Sequence, residues 1–194
     1  MANSPRQRTS SDVPDNRVRI IGGEWRKRMI TFPDQEGLRP TPDRVRETLF
    51  NWLGQTLYGK RCLDLFAGSG VLGFEALSRG AQSVVMVEKN RPVLQALQKN
   101  AAMLDAQSLE LKTGDGVQFL ARETRQFDVI FLDPPFRLEF LPKLMPLLPP
   151  RLTPNGLVYV ESEGAVEPGE GWEVWRSGRA GQVHFHLLKR AAIP

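Results

Sequence analysis

Asp133-Pro134-Pro135-Phe136 directly follows the apolar run Phe127–Leu132. Two prolines restrict the backbone, so the Asp133 carboxylate and the Pro134 carbonyl can be held at set positions. Both are acceptors, and an exocyclic amino group has two hydrogens to donate. Phe136 offers an aromatic face on which an extruded base can stack. Acceptors on both hydrogens would orient an aniline-like nitrogen, whose lone pair is otherwise delocalised into its ring, for in-line attack on an electrophilic methyl. This chemistry requires neither a metal nor a catalytic triad. No metal-ligand spacing accompanies the single cysteine, Cys62, and His184 and His186 alternate along a late strand-like run that suggests structural or surface roles.

A second constellation is Asp64-Leu65-Phe66-Ala67-Gly68-Ser69-Gly70, which leaves one strand-like run and enters a helical one. Glycines let a backbone approach a ligand closely, and a helix N-terminus offers unpaired N–H groups. Gly68 to Gly73 also matches the dinucleotide pattern GxGxxG, and Glu88 ends the next strand, where a ribose diol would lie. The loop therefore points to an adenosine-containing cofactor without choosing between a nicotinamide dinucleotide and S-adenosylmethionine. Asp64, placed to meet an ammonium group, and Asp115 in Gly114-Asp115-Gly116, placed to accept from an adenine amino group, favour S-adenosylmethionine.

These residues need a scaffold, and the hydrophobic pattern supplies one. Val18–Ile21 and Trp25–Ile30 are strand-like runs flanking Gly22-Gly23, a plausible hairpin turn, with Arg17, Arg19, Arg26, Lys27 and Arg28 crowded on them. A helix is expected next, capped by Thr41 with Pro42 at its first position, its face formed by Val45, Leu49, Trp52 and Leu53. Strands over 61–66, 83–87, 109–113, 127–132 and 156–161 then alternate with helices over 71–79, 91–104, 117–122 and about 140–148. That alternation predicts an α/β, Rossmann-like fold with a mostly parallel sheet and helices on both faces. Runs 172–176 and 183–189, with Gly178 and Gly181 between them, predict an antiparallel closing pair. The expected division is a disordered tail (1–16), a basic hairpin extension (17–37), a catalytic domain (38–190) and a short C-terminal tail (191–194).

The 194 residues are 41% hydrophobic and 25% charged, which suits one domain with an appendage. The net charge of +4 favours a polyanionic partner. One cysteine excludes an internal disulfide framework and suits a reducing compartment. No bilayer-length apolar run or signal-peptide pattern is present, so a cytoplasmic location is expected. No long coiled-coil pattern demands a dimer, and a monomer is expected.

Taken together, several stretches resemble one family: Arg19-Ile20-Ile21-Gly22-Gly23, Trp25-Arg26, Leu38-Arg39-Pro40-Thr41, Arg44–Leu53, Asp64–Gly70 and Asp133–Phe136. The chain resembles, from about Arg17 to Arg190, the RsmD family of bacterial 16S ribosomal RNA guanine-N2 methyltransferases. The resemblance implies a Rossmann-like methyltransferase fold with a seven-stranded, mostly parallel sheet, using S-adenosylmethionine on one guanine of assembling or assembled small subunits. It implies that Gly68, Gly70, Glu88, Asp115 and Gly116 line the cofactor with Asp64 and Phe66, and that Asp133–Phe136 hold the base. Arg39 and Thr41 would close over the methionine end. Arg17, Arg19, Trp25, Arg26, Lys27 and Arg28 would dock RNA, and neither metal nor membrane is implied.

Residue chemistry alone leaves guanine N2 and adenine N6 of DNA or RNA as alternatives. A nicotinamide-dependent oxidoreductase would use the literal GxGxxG but leaves Asp133–Phe136 unexplained. A non-catalytic RNA-binding factor on the same fold is the third reading.

Overall fold

The computed structural model describes residues 16–134 and 137–192, with residues 137–139 described by their backbone alone. Pro135 and Phe136 lie outside the described residues, as do residues 1–15 of the expected tail and residues 193–194. The element order is β1 (Asn16–Arg19), β2 (Met29–Phe32), α1 (Asp43–Leu53), β3 (Arg61–Asp64), α2 (Val71–Ser78), β4 (Ser83–Glu88), α3 (Arg91–Leu104) and β5 (Leu109–Thr113). It continues with α4 (Gly116–Arg122), β6 (Phe127–Leu132), α5 (Arg137–Leu144), two 3-10 turns over 145–147 and 149–151, β7 (Leu152–Ser162), β8 (Trp172–Ala180) and β9 (Val183–Arg190).

Strands β3 to β9 form a seven-stranded sheet in the order β5-β4-β3-β6-β7-β9-β8. All pairs from β5 to β7 are parallel, and β9 inserts antiparallel between β7 and β8. Period-two alternation explains why both faces carry helices. Cys62, Val84, Met86, Val129 and Phe131 pack on one side with Val45, Leu49 and Phe50 of α1, Phe74 of α2 and Leu97 of α3. Leu63, Val85, Val87, Ile130 and Leu132 face the other side with Leu120 of α4 and Leu144 of α5. The expected α/β Rossmann-like fold with one antiparallel C-terminal strand is the one observed.

The N-terminal hairpin differs from its expected form. β1 and β2 pair from Asn16↔Phe32 to Arg19↔Met29, so Gly22-Gly23 is part of a long connection and Trp25 lies in a turn, not a strand. Tertiary docking outcompetes a two-residue turn. The Gly22 N–H donates to Glu75 Oε1 at 2.8 Å, and the Glu24 N–H donates to the Ser78 carbonyl at 2.7 Å. Gly23 has φ +77°, and a Cβ there would sit 1.9 Å from the Ser78 carbonyl oxygen. Gly23→Ala is therefore expected to cost about 2 kcal/mol or more, read as a lower urea midpoint at unchanged m-value.

Further along, the side-chain amide of Asn100 in α3 accepts from the Thr31 N–H at 3.2 Å and donates to the Thr31 carbonyl at 2.7 Å, tying β2 to the domain. Val18, Ile20, Ile30 and Phe32 join the main core.

Thr41 does not cap α1. Pro42 occupies the cap position with no side-chain hydrogen bond, and the Thr41 hydroxyl donates instead to Glu161. The buried stripe of α1 is also wider than expected, because Arg46 and Phe50 are buried beside Val45 and Leu49, whereas Trp52 and Leu53 are only partly covered.

Candidate active site

The sheet order reverses direction at β3 and β6, which is where a doubly wound fold opens a crevice beyond the strand ends. Asp64 at the end of β3 is in register with Met86 of β4 and Phe131 of β6. The loops after these strands therefore converge. A cleft of about 260 Å3 lies there, lined by Arg39, Thr41, Asp64, Phe66, Gly68, Glu88, Asp115, Gly116 and Asp133 among others. The same cleft takes lining from Leu38, Val87, Val93 and Phe140, which sequence reasoning did not single out for it. Phe140, one turn into α5, meets the Phe66 ring edge-on with centroids 5.5 Å apart. An aromatic so soon after Asp133–Phe136 was the available signal.

Gly70 is not among the lining residues. It sits at the N-cap of α2 with φ +78°, and a Cβ there would approach Leu97 to 2.5 Å and Phe74 to 2.8 Å. Its glycine serves loop shape and packing of α2 against α3. Pro134 is buried at the end of β6.

The N–H groups at the start of α2 are largely engaged by the protein itself. The Gly68 N–H donates to Glu88 Oε2 at 2.9 Å, the Gly70 N–H to the Ala67 carbonyl at 2.8 Å, and the Gly73 N–H to Asp64 Oδ2 at 3.2 Å. The Val71 N–H donates to Ser69 Oγ at 3.3 Å. Glu88 also receives the Asn90 N–H at 3.0 Å, which fixes its carboxylate across the loop. Asp115 caps α4 by accepting from the Gln118 N–H at 2.9 Å, while still lining the cleft. Burial pushes the Asp64 carboxyl well above the usual carboxylate range; the Gly73 N–H opposes this, and the nearby Asp133 and Glu88 charges add to it. The cleft thus carries acid groups at the ends of β3, β4 and β6. These acid groups disfavour a pyrophosphate and suit a ligand that carries an ammonium and hydroxyl donors.

The strip 33–42 roofs one side of the cleft. Gln35, Glu36, Gly37, Leu38, Arg39 and Thr41 line it, and Leu38 packs so closely over Gly68 that a Cβ there would lie 2.8 Å from its side chain. The strip is held from below by Arg46, whose side chain is fully buried. Arg46 Nε donates to the Thr41 carbonyl at 3.0 Å, and its terminal nitrogens donate to the Arg19 carbonyl at 2.8 Å, Glu75 Oε2 at 3.0 Å and Asp43. Glu75 further receives the Ile21 N–H at 3.0 Å and Arg79 Nε at 3.0 Å. Neither Arg46 nor Glu75 was singled out from the sequence. The signal was a lone acid in the otherwise apolar helix VLGFEALS, every residue of which is buried.

Of the predicted RNA-binding residues, Arg19 lies beside the roof, its carbonyl accepting from the same Arg46 that holds the Thr41 carbonyl, and Arg28 lies far from the cleft. Arg17, Arg19, Arg26, Lys27 and Arg28 are exposed, whereas Trp25 packs partly against the core. Arg28 reaches the Met103 carbonyl at the far end of α3, whose Asn90 cap lies at the cleft. At 1.5 Å per residue, α3 separates the basic loop from the cleft by about 20 Å.

His186 is buried with Ser162 Oγ 3.3 Å from Nε2 and Ser177 Oγ 3.2 Å from Nδ1, and burial holds its pKa below the ordinary value. Among the described residues there is no cluster of potential metal ligands, and no helix is long and apolar enough to cross a membrane.

Comparison with known proteins places this geometry in a family. Residues 18–189 match the family model described as Conserved hypothetical protein 95. Ribosomal RNA small subunit methyltransferase D of Escherichia coli (strain K12) is 46% identical over 182 residues, covering 90% of this chain and 91% of the relative. The protein of the same name from Haemophilus influenzae is 44% identical, covering 89% and 93%. The solved structure of Escherichia coli yhhF, described as a proposed methyltransferase, superposes with a TM-score of 0.83 at 42% identity, covering 90% of this chain and 98% of that one. The chain belongs to the RsmD family, that of ribosomal RNA small subunit methyltransferase D.

Proposed function

We propose that this protein transfers a methyl group from S-adenosylmethionine to the exocyclic N2 of one guanine in 16S ribosomal RNA. The observation that carries the cofactor choice is the acid-lined cleft whose glycine-loop N–H groups already bond to Glu88, Asp64, Ser69 and Ala67. A nicotinamide dinucleotide needs such groups for its pyrophosphate. S-adenosylmethionine supplies a sulfonium-activated methyl, and its ammonium and ribose hydroxyls suit carboxylates.

In this reading Glu88 accepts from the ribose diol, Asp115 and Gly116 hold the adenine, and Phe66, Leu38 and Val87 cover it with apolar surface. Arg39 and Thr41 close the methionine end, and Asp64 faces the ammonium. Asp133 and the Pro134 carbonyl accept the two amino hydrogens of the base, with Phe136 stacking on its ring. These acceptors rotate the nitrogen lone pair out of conjugation and aim it at the methyl, and Asp133 stabilises the positive charge that grows on the nitrogen.

A small-subunit ribosomal RNA target is supported by the relatives, which are named ribosomal RNA small subunit methyltransferase D. The basic loop supports a large polyanion: an RNA touching both Arg26–Arg28 and the cleft extends over about 20 Å. The protein acts as a monomer in the cytoplasm, where small subunits are assembled.

Calorimetric titration tests the cofactor. S-adenosylhomocysteine is expected to bind and NADH is not; the reverse would reject the reading. Glu88→Ala should weaken S-adenosylhomocysteine about tenfold, because a hydrogen bond to a charged group is lost.

The raised Asp64 pKa makes a further prediction. An ammonium beside Asp64 favours its charged form, so bound Asp64 titrates lower than free Asp64. Affinity should therefore rise with pH up to the raised pKa of the free protein, level off above it, and be accompanied by proton release below it. Asp64→Asn should remove this pH dependence, and a flat profile in the unaltered protein would place the ammonium elsewhere.

A further inference from the structure

The cleft roof and the end of the sheet are joined by a buried side chain that lies outside the cleft lining. Glu161, at the C-terminal end of β7, is buried. Its Oε1 accepts the Thr41 hydroxyl at 2.9 Å and the Tyr159 hydroxyl at 2.7 Å. Val160 is in register with Leu132, so Glu161 stands at the strand end beside Asp133. Thr41 belongs to the strip that roofs the cofactor cleft, and its carbonyl is already gripped by Arg46. Thr41 is thus held by its backbone from α1 and by its side chain from β7.

The chemistry of this cluster is informative. A buried carboxylate carries a desolvation cost that a neutral residue of similar size would avoid. Thr41 stands one residue before the cap position, which Pro42 occupies, and its hydroxyl reaches Glu161 of β7 instead of a helix N–H. What the carboxylate adds is one acceptor oxygen shared by two hydroxyls, which fixes the roof against β7 in a single arrangement. Hydrogen bonds to a charged acceptor are shorter and about twice as strong as neutral ones.

We infer that Glu161 is a positioning residue. Through Thr41 it sets the Arg39–Thr41 roof against the end of β7, and so holds the roof in place over the methyl-donor cleft. This rests on the proposed use of the cleft for S-adenosylmethionine. Tyr159 shares the same oxygen and holds the carboxylate in the orientation that Thr41 requires.

The inference is tested by calorimetry with S-adenosylhomocysteine on Thr41→Val, Glu161→Ala and the double variant. Each single change should weaken binding about tenfold, and the double should be no weaker than either alone, because both remove the same contact. Glu161→Gln, which keeps an acceptor oxygen, should stay within about threefold of the unaltered protein. In methyl-transfer assays KM for the donor should rise by the same factor in the single variants, while kcat at saturating donor changes by less than about threefold.

Effects that add in the double variant would overturn the inference, since Thr41 would then act by direct contact and Glu161 by general stability. Glu161→Ala binding as tightly as the unaltered protein would overturn it too. Where Glu161→Ala does not fold, Thr41→Val against Thr41→Ser decides: a loss that serine does not restore belongs to packing, and the inference fails. Failure of the unaltered protein to bind S-adenosylhomocysteine is a different result, and it removes the cofactor assignment itself.

Discussion

Asp133→Ala is expected to lower methyl transfer about a thousandfold while leaving affinities for S-adenosylhomocysteine and for RNA within about threefold. The carboxylate lines the cleft at the end of β6, beside the pair formed by Leu132 and Val160. Its proposed work is confined to the reacting nitrogen: it orients one amino hydrogen and stabilises charge that appears only as the bond forms. Removing one such preorganised group costs about 10²–10³ in rate in well-studied cases, and here the orientation of the nucleophile is lost with it. Ground-state binding is largely spared because the other proposed cofactor contacts come from β3, β4, the loop after β5 and the roof. Removal of Asp133 also takes away one of the charges that raise the Asp64 pKa. Asp64 should then ionise at lower pH, and the plateau of the affinity profile should begin earlier. Single-turnover transfer, calorimetry and RNA filter binding on one preparation separate these effects.

Arg46→Met carries the largest expected effect on stability, a loss of about 3–5 kcal/mol in urea unfolding. Arg46 and Glu75 have side chains fully hidden from solvent and lie 3.0 Å apart. Burial lowers the Arg46 pKa in spite of the Glu75 and Asp43 charges, so the pair is not a source of large net stabilisation. Breaking it is another matter. Without the guanidinium, the Thr41 and Arg19 carbonyls lose a donor, and the buried Glu75 carboxyl loses one of its partners. Replacing Glu75 by leucine as well should not restore stability, because Glu75 also receives the Ile21 and Gly22 N–H groups and Arg79. The double change would leave those donors buried and unsatisfied. A double variant as stable as the original protein would show that the network contributes little to holding the hairpin.

The comparison between Thr41 and Asp115 shows what local sequence can and cannot reveal. Both precede a helical pattern, and Asp115 does cap α4. Thr41 was expected to cap α1, but its hydroxyl is claimed by Glu161, distant in sequence. No local rule sees that partner. The strands and helices flanking the cleft were legible because period-two and period-3.6 patterns are strong there: α3, β5 and β6 have the expected bounds. The cleft itself was legible through chain order, since Asp64, Glu88, Asp115 and Asp133 each end or follow a parallel strand, and such ends converge.

The hairpin connection was misread because Gly22-Gly23 looks like a two-residue turn. Its glycines in fact allow close contact with Ser78 and Glu75, which only the tertiary structure supplies. Gly70 illustrates the same limit, as its glycine faces Leu97 and Phe74 and not the cleft. Arg46 and Glu161 were hidden for a further reason. A charged residue on an amphipathic helix or in a strand reads as solvent-facing until its buried partner is known.

The most direct test is to supply labelled S-adenosylmethionine and the purified protein to small ribosomal subunits from a strain lacking the family's enzyme, then digest the 16S RNA to nucleosides. Label recovered as N2-methylguanosine at a single position, and absent with Asp133→Ala, is the predicted result. Label recovered as N6-methyladenosine, or in duplex DNA and not in the subunits, would contradict the assignment.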